Sequence, residues 1–555
     1  MIGKKLGIQG LVLGVFCLVG LGCNQINVGF FRFQVINNTP YQIVHCSIGS
    51  DLWEAEGGPN LLNGPLGENE VFDLNVDEPG LYWLHAVLNY DEEKGGNPIA
   101  HTIGPVLMQE GNVAWSWYMD GQVVKQGTGP EDIYAVSNLP VVVIDTNGAA
   151  IPDEPKILST MQISEHLLCA KGDIRPGGDD LSYDGLAGIE VRGNSSQTFD
   201  KQSFGVETWD AFDSGVDVPL LGMPAEEDWV FYGPWMDRSL MRNYFGYNLW
   251  GQLGYYAPRT RFVEVYLNRN NNPVVEETYH GVYLVTEKIK RGSDRVDIEK
   301  LGDDDTTFPD ISGGYILEMQ APDQLDPGSV SIDIAGDFIL AIEDPKPGKI
   351  LEVQKNWITS YINNFETALF SPDFNLKLAQ SYRDMINMDS FVDYIILQDL
   401  FKNRDAFRSS TWMYKDRNDK LTMGPIWDLN IILGYFSLNG FDNPEGWFLQ
   451  SPKNDLPHSP WTDRMFEDPI FVQAYIDRWH ELRAAQLSMV NMDGWIDGAM
   501  GQLSTAHARN FVRWPTLGKT LIPDINFIMF LGPHPDSWQG EVEMMRDWLH
   551  ERAAW

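Results

Sequence analysis

Between Lys402 and Asn430 the chain alternates loop and strand in an order that leaves it few folds. Lys402-Asn403-Arg404-Asp405-Ala406-Phe407-Arg408-Ser409-Ser410-Thr411 is a polar loop, and Trp412 to Asp416 reads as a strand. Asn418-Asp419 reads as a tight turn, and Leu421 to Asn430 returns through Gly424-Pro425 into a second loop. Such a segment closes as a β-hairpin, and closing it carries both flanking loops to one end. Each loop holds an acid, Asp405 and Asp428, 23 positions apart.

Two loop acids across a hairpin are the layout protein kinases use. One Asp accepts the proton of the acceptor hydroxyl, and the later one holds a metal ion. On that reading Asp405 is the base, Asp428 is the metal ligand, and Asn430 adds an oxygen. Oxygen donors of this kind suit Mg²⁺ or Mn²⁺. Two acids that merely cap turns would show the same spacing.

Three other polar clusters interrupt apolar segments. Arg192-Gly193-Asn194-Ser195-Ser196 leads to Phe199-Asp200-Lys201-Gln202-Ser203. A small-residue loop feeding a strand that carries one Lys offers phosphate both backbone N–H groups and an ammonium. A plain loop between two strands has the same composition. Asp237-Arg238-Ser239-Leu240-Met241-Arg242-Asn243 opens an aromatic helix over Met236 to Leu253, where Arg242 reads as the buried partner of Asp237, direct catalysis by this cluster being the other reading. Gly281 to Glu287 and Gly313 to Glu318 are buried-type strands, each ending in a carboxylate. A carboxylate there needs a cation or metal, because an isolated buried charge is very costly. The pairing expected is Lys201 with Glu287, which would orient the Lys on phosphates.

The rest of the chain frames these clusters. Its 555 residues suggest two or three domains. A net charge of −38 excludes nucleic acid as a general partner, since phosphate neutralisation needs clustered Lys and Arg. Lys4-Lys5, the apolar run Leu6 to Gly22 and Cys23 have the form of a lipoprotein signal over residues 1–23. An ordinary secretion signal or an uncleaved anchor are the other readings. The protein is thus expected to be extracytoplasmic, touching membrane through a lipid on Cys23, or secreted. Cys46 and Cys169 could form a disulfide or remain two buried thiols. Short alternating strands over residues 24–135 predict an all-β sandwich module. Residues 139–555 mix strands and helices, with helices expected at Leu351 to Ala379 and Asp389 to Lys402 and a helical part at 468–555. The fold class is α+β.

Taken in order, the clusters Leu139 to Pro155, Arg192 to Glu207, Asp237 to Asn243, Gly281 to Lys290, Asp294 to Ile298, Gly314 to Glu318, Asn403 to Asp416 and Gly424 to Gly434 resemble the CotH family, the spore-coat protein H kinases. Ala508-Arg509-Asn510-Phe511-Val512-Arg513-Trp514-Pro515 extends the resemblance. It implies an atypical kinase-like α+β domain over about 139–555 that uses ATP with Mg²⁺ or Mn²⁺. It also implies transfer to Ser or Thr of surface or coat proteins. Asp405 would be the base and Asp428 with Asn430 the metal site. Lys201, Arg192, Asn194, Ser195, Ser196 and Glu287 would serve the nucleotide. The family's usual pair of lysines is here Lys201-Gln202, and its Phe-Gly-Asn is Leu433-Gly434-Tyr435. The competing readings are a surface or adhesion protein that keeps the fold without turnover, and a carbohydrate-associated protein.

Overall fold

The computed structural model describes residues 137–164, 181–193, 195–268, 278–376, 381–435, 440–448, 459–519 and 534–555, and the backbone of seven strands nearer the N-terminus. Those strands are β1 (Val12–Phe16), β2 (Phe31–Asn37), β3 (Gln42–Gly49), β4 (Val71–Val76), β5 (Gly80–Asn89), β6 (Ile99–Met108) and β7 (Ala114–Tyr118). They form two antiparallel sheets, β4-β2-β1-β7 and β3-β5-β6. Strand β1 lies inside the segment read as a signal, while Cys23 and Cys169 fall outside the described residues.

The next seven strands close a barrel. They are β8 (Val141–Asp145), β9 (Ile157–Ser164), β10 (Leu181–Arg192), β11 (Ser203–Trp209), β12 (Asp228–Tyr232), β13 (Thr260–Asn268) and β14 (Tyr279–Glu287). The order around it is β10-β11-β12-β14-β13-β8-β9, and only β8 and β13 run parallel. Closure was not expected from the sequence, but the period-2 pattern explains it. Val191, Phe204, Phe231 and Val285 turn inward onto one apolar core. Their neighbours Val282, Leu284 and Phe262 turn outward onto a second, larger core. A sheet that is apolar on both faces has to be covered on one and closed on the other.

The larger core joins the barrel to a five-stranded sheet and its helices. That sheet comprises β15 (Tyr315–Gln320), β16 (Ser331–Ile334), β17 (Phe338–Asp344), β18 (Thr411–Lys415) and β19 (Leu421–Met423), in the order β16-β17-β15-β18-β19. The hairpin read between Lys402 and Asn430 is β18-β19. The described helices are α1 (Arg242–Gln252), α2 (Glu352–Leu369), α3 (Tyr382–Met385), α4 (Met388–Phe401), α5 (Trp461–Met465), α6 (Pro469–Ala484), α7 (Met489–Leu503), α8 (Ala506–Arg513) and α9 (Trp538–Ala554). The content is α+β.

Two helix boundaries differ from expectation. Helix α1 begins at Arg242 rather than Met236, because Asp237 ends the preceding turn. Asp237 Oδ2 accepts the Arg242 N–H at 2.8 Å, Oδ1 accepts the Ser239 N–H at 3.1 Å, and Leu240 takes φ 67°. Helix α2 stops at Leu369, two residues short of Ser371-Pro372. Helix α4 is buried on every side, as an apolar helix must be. It ends where Lys402 turns left-handed at φ 47°.

Candidate active site

Helix α1 is the seat of the Asp428 loop. Asn243 Oδ1 accepts the Leu429 N–H at 2.7 Å, Tyr247 Oη accepts the Asp428 N–H at 3.3 Å, and Arg242 Nε donates to the Ile432 carbonyl at 2.9 Å. Asp237 holds Arg242 through a buried ion pair of 2.7 Å, the partnership read from the sequence. The Arg242 guanidinium also lies 4.8 Å over the ring of Tyr435, whose hydroxyl donates to the Met236 carbonyl. Helix and loop approach so closely that a Cβ on Gly246 would sit 2.1 Å from Leu429 Cδ1. Asp428 itself takes φ 55°, a strained conformation for a residue with a side chain. The cluster Asp237 to Asn243 therefore supports the site rather than entering it.

The Asp405 loop hangs from the end of α4. Asn403 Nδ2 donates to Gln398 Oε1 at 2.8 Å, and Asn403 Oδ1 accepts the Asp405 N–H at 3.2 Å. The Asp405 carbonyl accepts the N–H groups of Arg408 and Ser409 at 3.1 and 2.8 Å. Ser410 Oγ then reaches Asp428 Oδ2 at 3.4 Å, and the Leu433 N–H bonds the Phe401 carbonyl at 3.0 Å. These bonds tie the two acidic loops together across the hairpin.

Two more groups face Asp428. Arg192, at the end of β10, projects from the outer barrel wall, with its guanidinium 5.7 Å over the ring of Trp427. Trp427 in turn stacks on Tyr247 at 5.7 Å. Glu318, in the middle of the five-stranded sheet between Ala341 and Trp412, points away from the larger core and accepts from Gln320 Nε2 at 2.7 Å.

The electrostatics read as a shortage of positive charge. Burial, then the charge of Asp405, pushes Asp428 up to about 6, against the pull of Arg192 and Ser410. Burial, then Glu343, pushes Glu318 up to about 8, with Asp428 adding to it and Arg192 opposing. Burial raises Asp405 while Arg404 and Arg408 hold it down. Asp405, Asp428 and Glu318 act on one another electrostatically against Arg192, Arg404 and Arg408. Their oxygens do not all converge within 4.8 Å of one another, so a divalent cation there would draw its oxygen ligands from only part of this set. Asn430, two residues after Asp428, is half-buried.

The structure brings together Arg192, Asp405 and Asp428 and separates two residues expected with them. Glu287 does not orient Lys201. Its carboxylate is buried at one end of the barrel wall, where Arg259 Nε and Arg295 Nη1 bind it at 2.6 and 2.8 Å and Tyr256 Oη donates at 3.1 Å. Lys201 is 1% exposed. Its ammonium donates to Asn510 Oδ1 at 2.7 Å and lies 5.2 Å over the Tyr283 ring. Burial holds it well below the usual lysine range, opposed only by the charge of Asp237. Ser195 to Thr198 form one turn of 3-10 helix, and Ser196 is half-buried. Asn194 and the Ser195 side chain lie outside the described residues. Gly193, at φ 106°, has room for no side chain, since its Cβ would sit 2.0 Å from Ser196 Oγ.

Glu318, Tyr247 and Trp427 are the neighbours of Asp428 that sequence reasoning did not select. Glu318 carried a signal, the same strand-end carboxylate pattern as Glu287. Glu287 is fully buried with two arginines bound to it, whereas Glu318 is half-buried and has no ion-pair partner among the described residues.

The family model described as CotH kinase protein matches residues 189–555. No curated protein matches the chain. The matched region holds the barrel wall with Arg192, the five-stranded sheet with Glu318 and both acidic loops. The chain belongs to the CotH kinase protein family.

Proposed function

We propose that the protein is an exported phosphotransferase that moves the terminal phosphoryl group of ATP to a Ser or Thr hydroxyl of a surface or coat protein. The observation that carries this reading is the facing pair Asp405 and Asp428, the second raised by the first and flanked by Arg192 and Glu318. Asp428, Glu318 and Asn430 would hold Mg²⁺ or Mn²⁺, which neutralises phosphate charge when bound. Arg192 and the turn at Ser195 and Ser196 would take phosphate oxygens.

Asp405 accepts the proton of the acceptor hydroxyl as its oxygen bonds to the γ-phosphorus. The bond from that phosphorus to the bridging oxygen breaks, and ADP leaves with the electron pair. Burial raises Asp405, and Arg404 and Arg408 oppose that rise. Lys201 is given no phosphate in this scheme, because Asn510 already takes its ammonium. The N-terminal segment would export the chain and anchor it through a lipid on Cys23.

One observation favours a second reading, a family member that binds without turnover. The only lysine of the block from Arg192 to Glu207 is buried, and Gln202 follows it. Melting with and without ATP and Mn²⁺ tests nucleotide binding, which both readings share. A wild-type protein whose melting temperature does not move with ATP and Mn²⁺ would sink both.

A further inference from the structure

Tyr232 carries a buried hydroxyl that nothing so far explains. Strands β10, β11 and β12 are in register, with Val191 opposite Phe204 and Phe204 opposite Phe231, and all three rings or methyls point into the barrel. Alternation turns the next residues, Arg192 and Tyr232, to the outer wall. Between them Ser203 Oγ accepts the Gly233 N–H at 3.0 Å. Arg192 and Tyr232 therefore stand on one face, two strands apart, on the side that meets the Asp428 loop. Tyr232 packs against the larger core that holds Leu429 and Tyr247. Its Oη is buried and has no hydrogen-bond partner among the described residues.

A buried hydroxyl without a partner costs stability, and each one calls for an explanation. Two acids, Asp237 and Asp428, and the neutral phenols Tyr247 and Tyr435 lie around Tyr232. Burial and these neighbours raise it well above the ordinary tyrosine range, so it stays a neutral O–H donor at physiological pH.

We propose that Tyr232 Oη is a phosphate-binding donor of this site. With Arg192 it would grip the oxygens of a metal-bound nucleoside polyphosphate beside Asp428. The inference rests on the nucleotide reading above and adds a residue that the polar clusters of the sequence do not contain.

Tyr232→Phe removes the hydroxyl and keeps the ring. The test is calorimetric titration of the full chain and of Y232F with Mn·ATP and with Mn·tripolyphosphate, beside melting without ligand. The expected result is at least fivefold weaker binding of both ligands by Y232F. Its unliganded melting temperature should equal or exceed that of wild type, since an unpaired buried group is gone. Loss confined to ATP would place the hydroxyl on the nucleoside and overturn the proposal, as would unchanged affinity for both ligands. A lower unliganded melting temperature with unchanged affinity would make the residue structural. Wild-type protein that binds neither ligand would instead remove the nucleotide reading itself.

Discussion

Lys201 Nζ donates to Asn510 Oδ1 at 2.7 Å, and the same oxygen accepts the Val282 N–H at 3.1 Å. One amide thus fastens helix α8 to β14 and to the segment that leads into β11. The helix makes a second fastening one residue earlier, where Arg509 meets the buried carboxylate of Glu264 at 2.7 Å. The Ala508 to Pro515 block carries this clamp through Arg509 and Asn510.

The clamp predicts an asymmetry between two substitutions. Asn510→Ala strands a buried ammonium and a buried N–H, which together should cost several times the ~1 kcal/mol of an ordinary hydrogen bond. Lys201→Met removes the charge and fills the same space, so it should cost less than Asn510→Ala. Chemical denaturation of the two variants checks the order. If Lys201 instead served phosphate, Lys201→Met would abolish nucleotide binding while leaving stability near wild type.

The contact between α1 and the metal loop predicts a steric effect. Gly246→Ala drives a methyl into Leu429, one residue from Asp428. Overpacking of this kind costs about 1–3 kcal/mol, and moving the loop should weaken Mn²⁺ binding as well. Gly498→Ala in α7 is the control, because its Cβ would meet nothing within 4 Å. It should be neutral or stabilise by ~0.5–1 kcal/mol. Thermal melts and Mn²⁺ titration of the pair read both effects.

Glu318 predicts a pH dependence with a definite sign. Its folded value, about 8, lies above the ordinary carboxylate value of 4.5. The folded protein therefore binds the extra proton between those limits, and ionising Glu318 costs stability as pH rises through that window. With EDTA present, the melting temperature of wild type should fall relative to Glu318→Gln between pH 5 and pH 8. Added Mn²⁺ should reverse the fall in wild type and do so less in the variant, since a bound cation favours the ionised carboxylate. Parallel pH profiles for the two proteins would contradict the assignment.

The sequence was most informative where short-range chemistry decides structure. The β18-β19 hairpin, the Asp237–Arg242 pair and helix α4 follow from turn residues, charge burial and apolar run length. So does the choice of Asp405 and Asp428, whose loops a hairpin must bring to one end. The barrel was not legible, because closure depends on β8 pairing in parallel with β13, more than a hundred residues away. The partners of the two strand-end glutamates were hidden for the same reason. Arg259 reaches Glu287 from just before β13 and Arg295 from beyond β14, whereas Glu318 faces a barrel wall contributed by a strand that ends at Arg192. Tyr232 carried no signal at all, since a tyrosine in a buried strand is usually packing.

The roles of Asp405 and Asp428 are separated most directly by one experiment on two variants. Asp405→Asn and Asp428→Asn are each assayed for transfer of labelled phosphate from ATP into protein, and for the rise in melting temperature with ATP and Mn²⁺. The account predicts that Asp405→Asn loses transfer by at least a hundredfold and keeps the melting shift, as expected for a lost base. Asp428→Asn should lose both. Transfer at the wild-type rate by Asp405→Asn, or an undiminished Mn²⁺-dependent shift in Asp428→Asn, would contradict it.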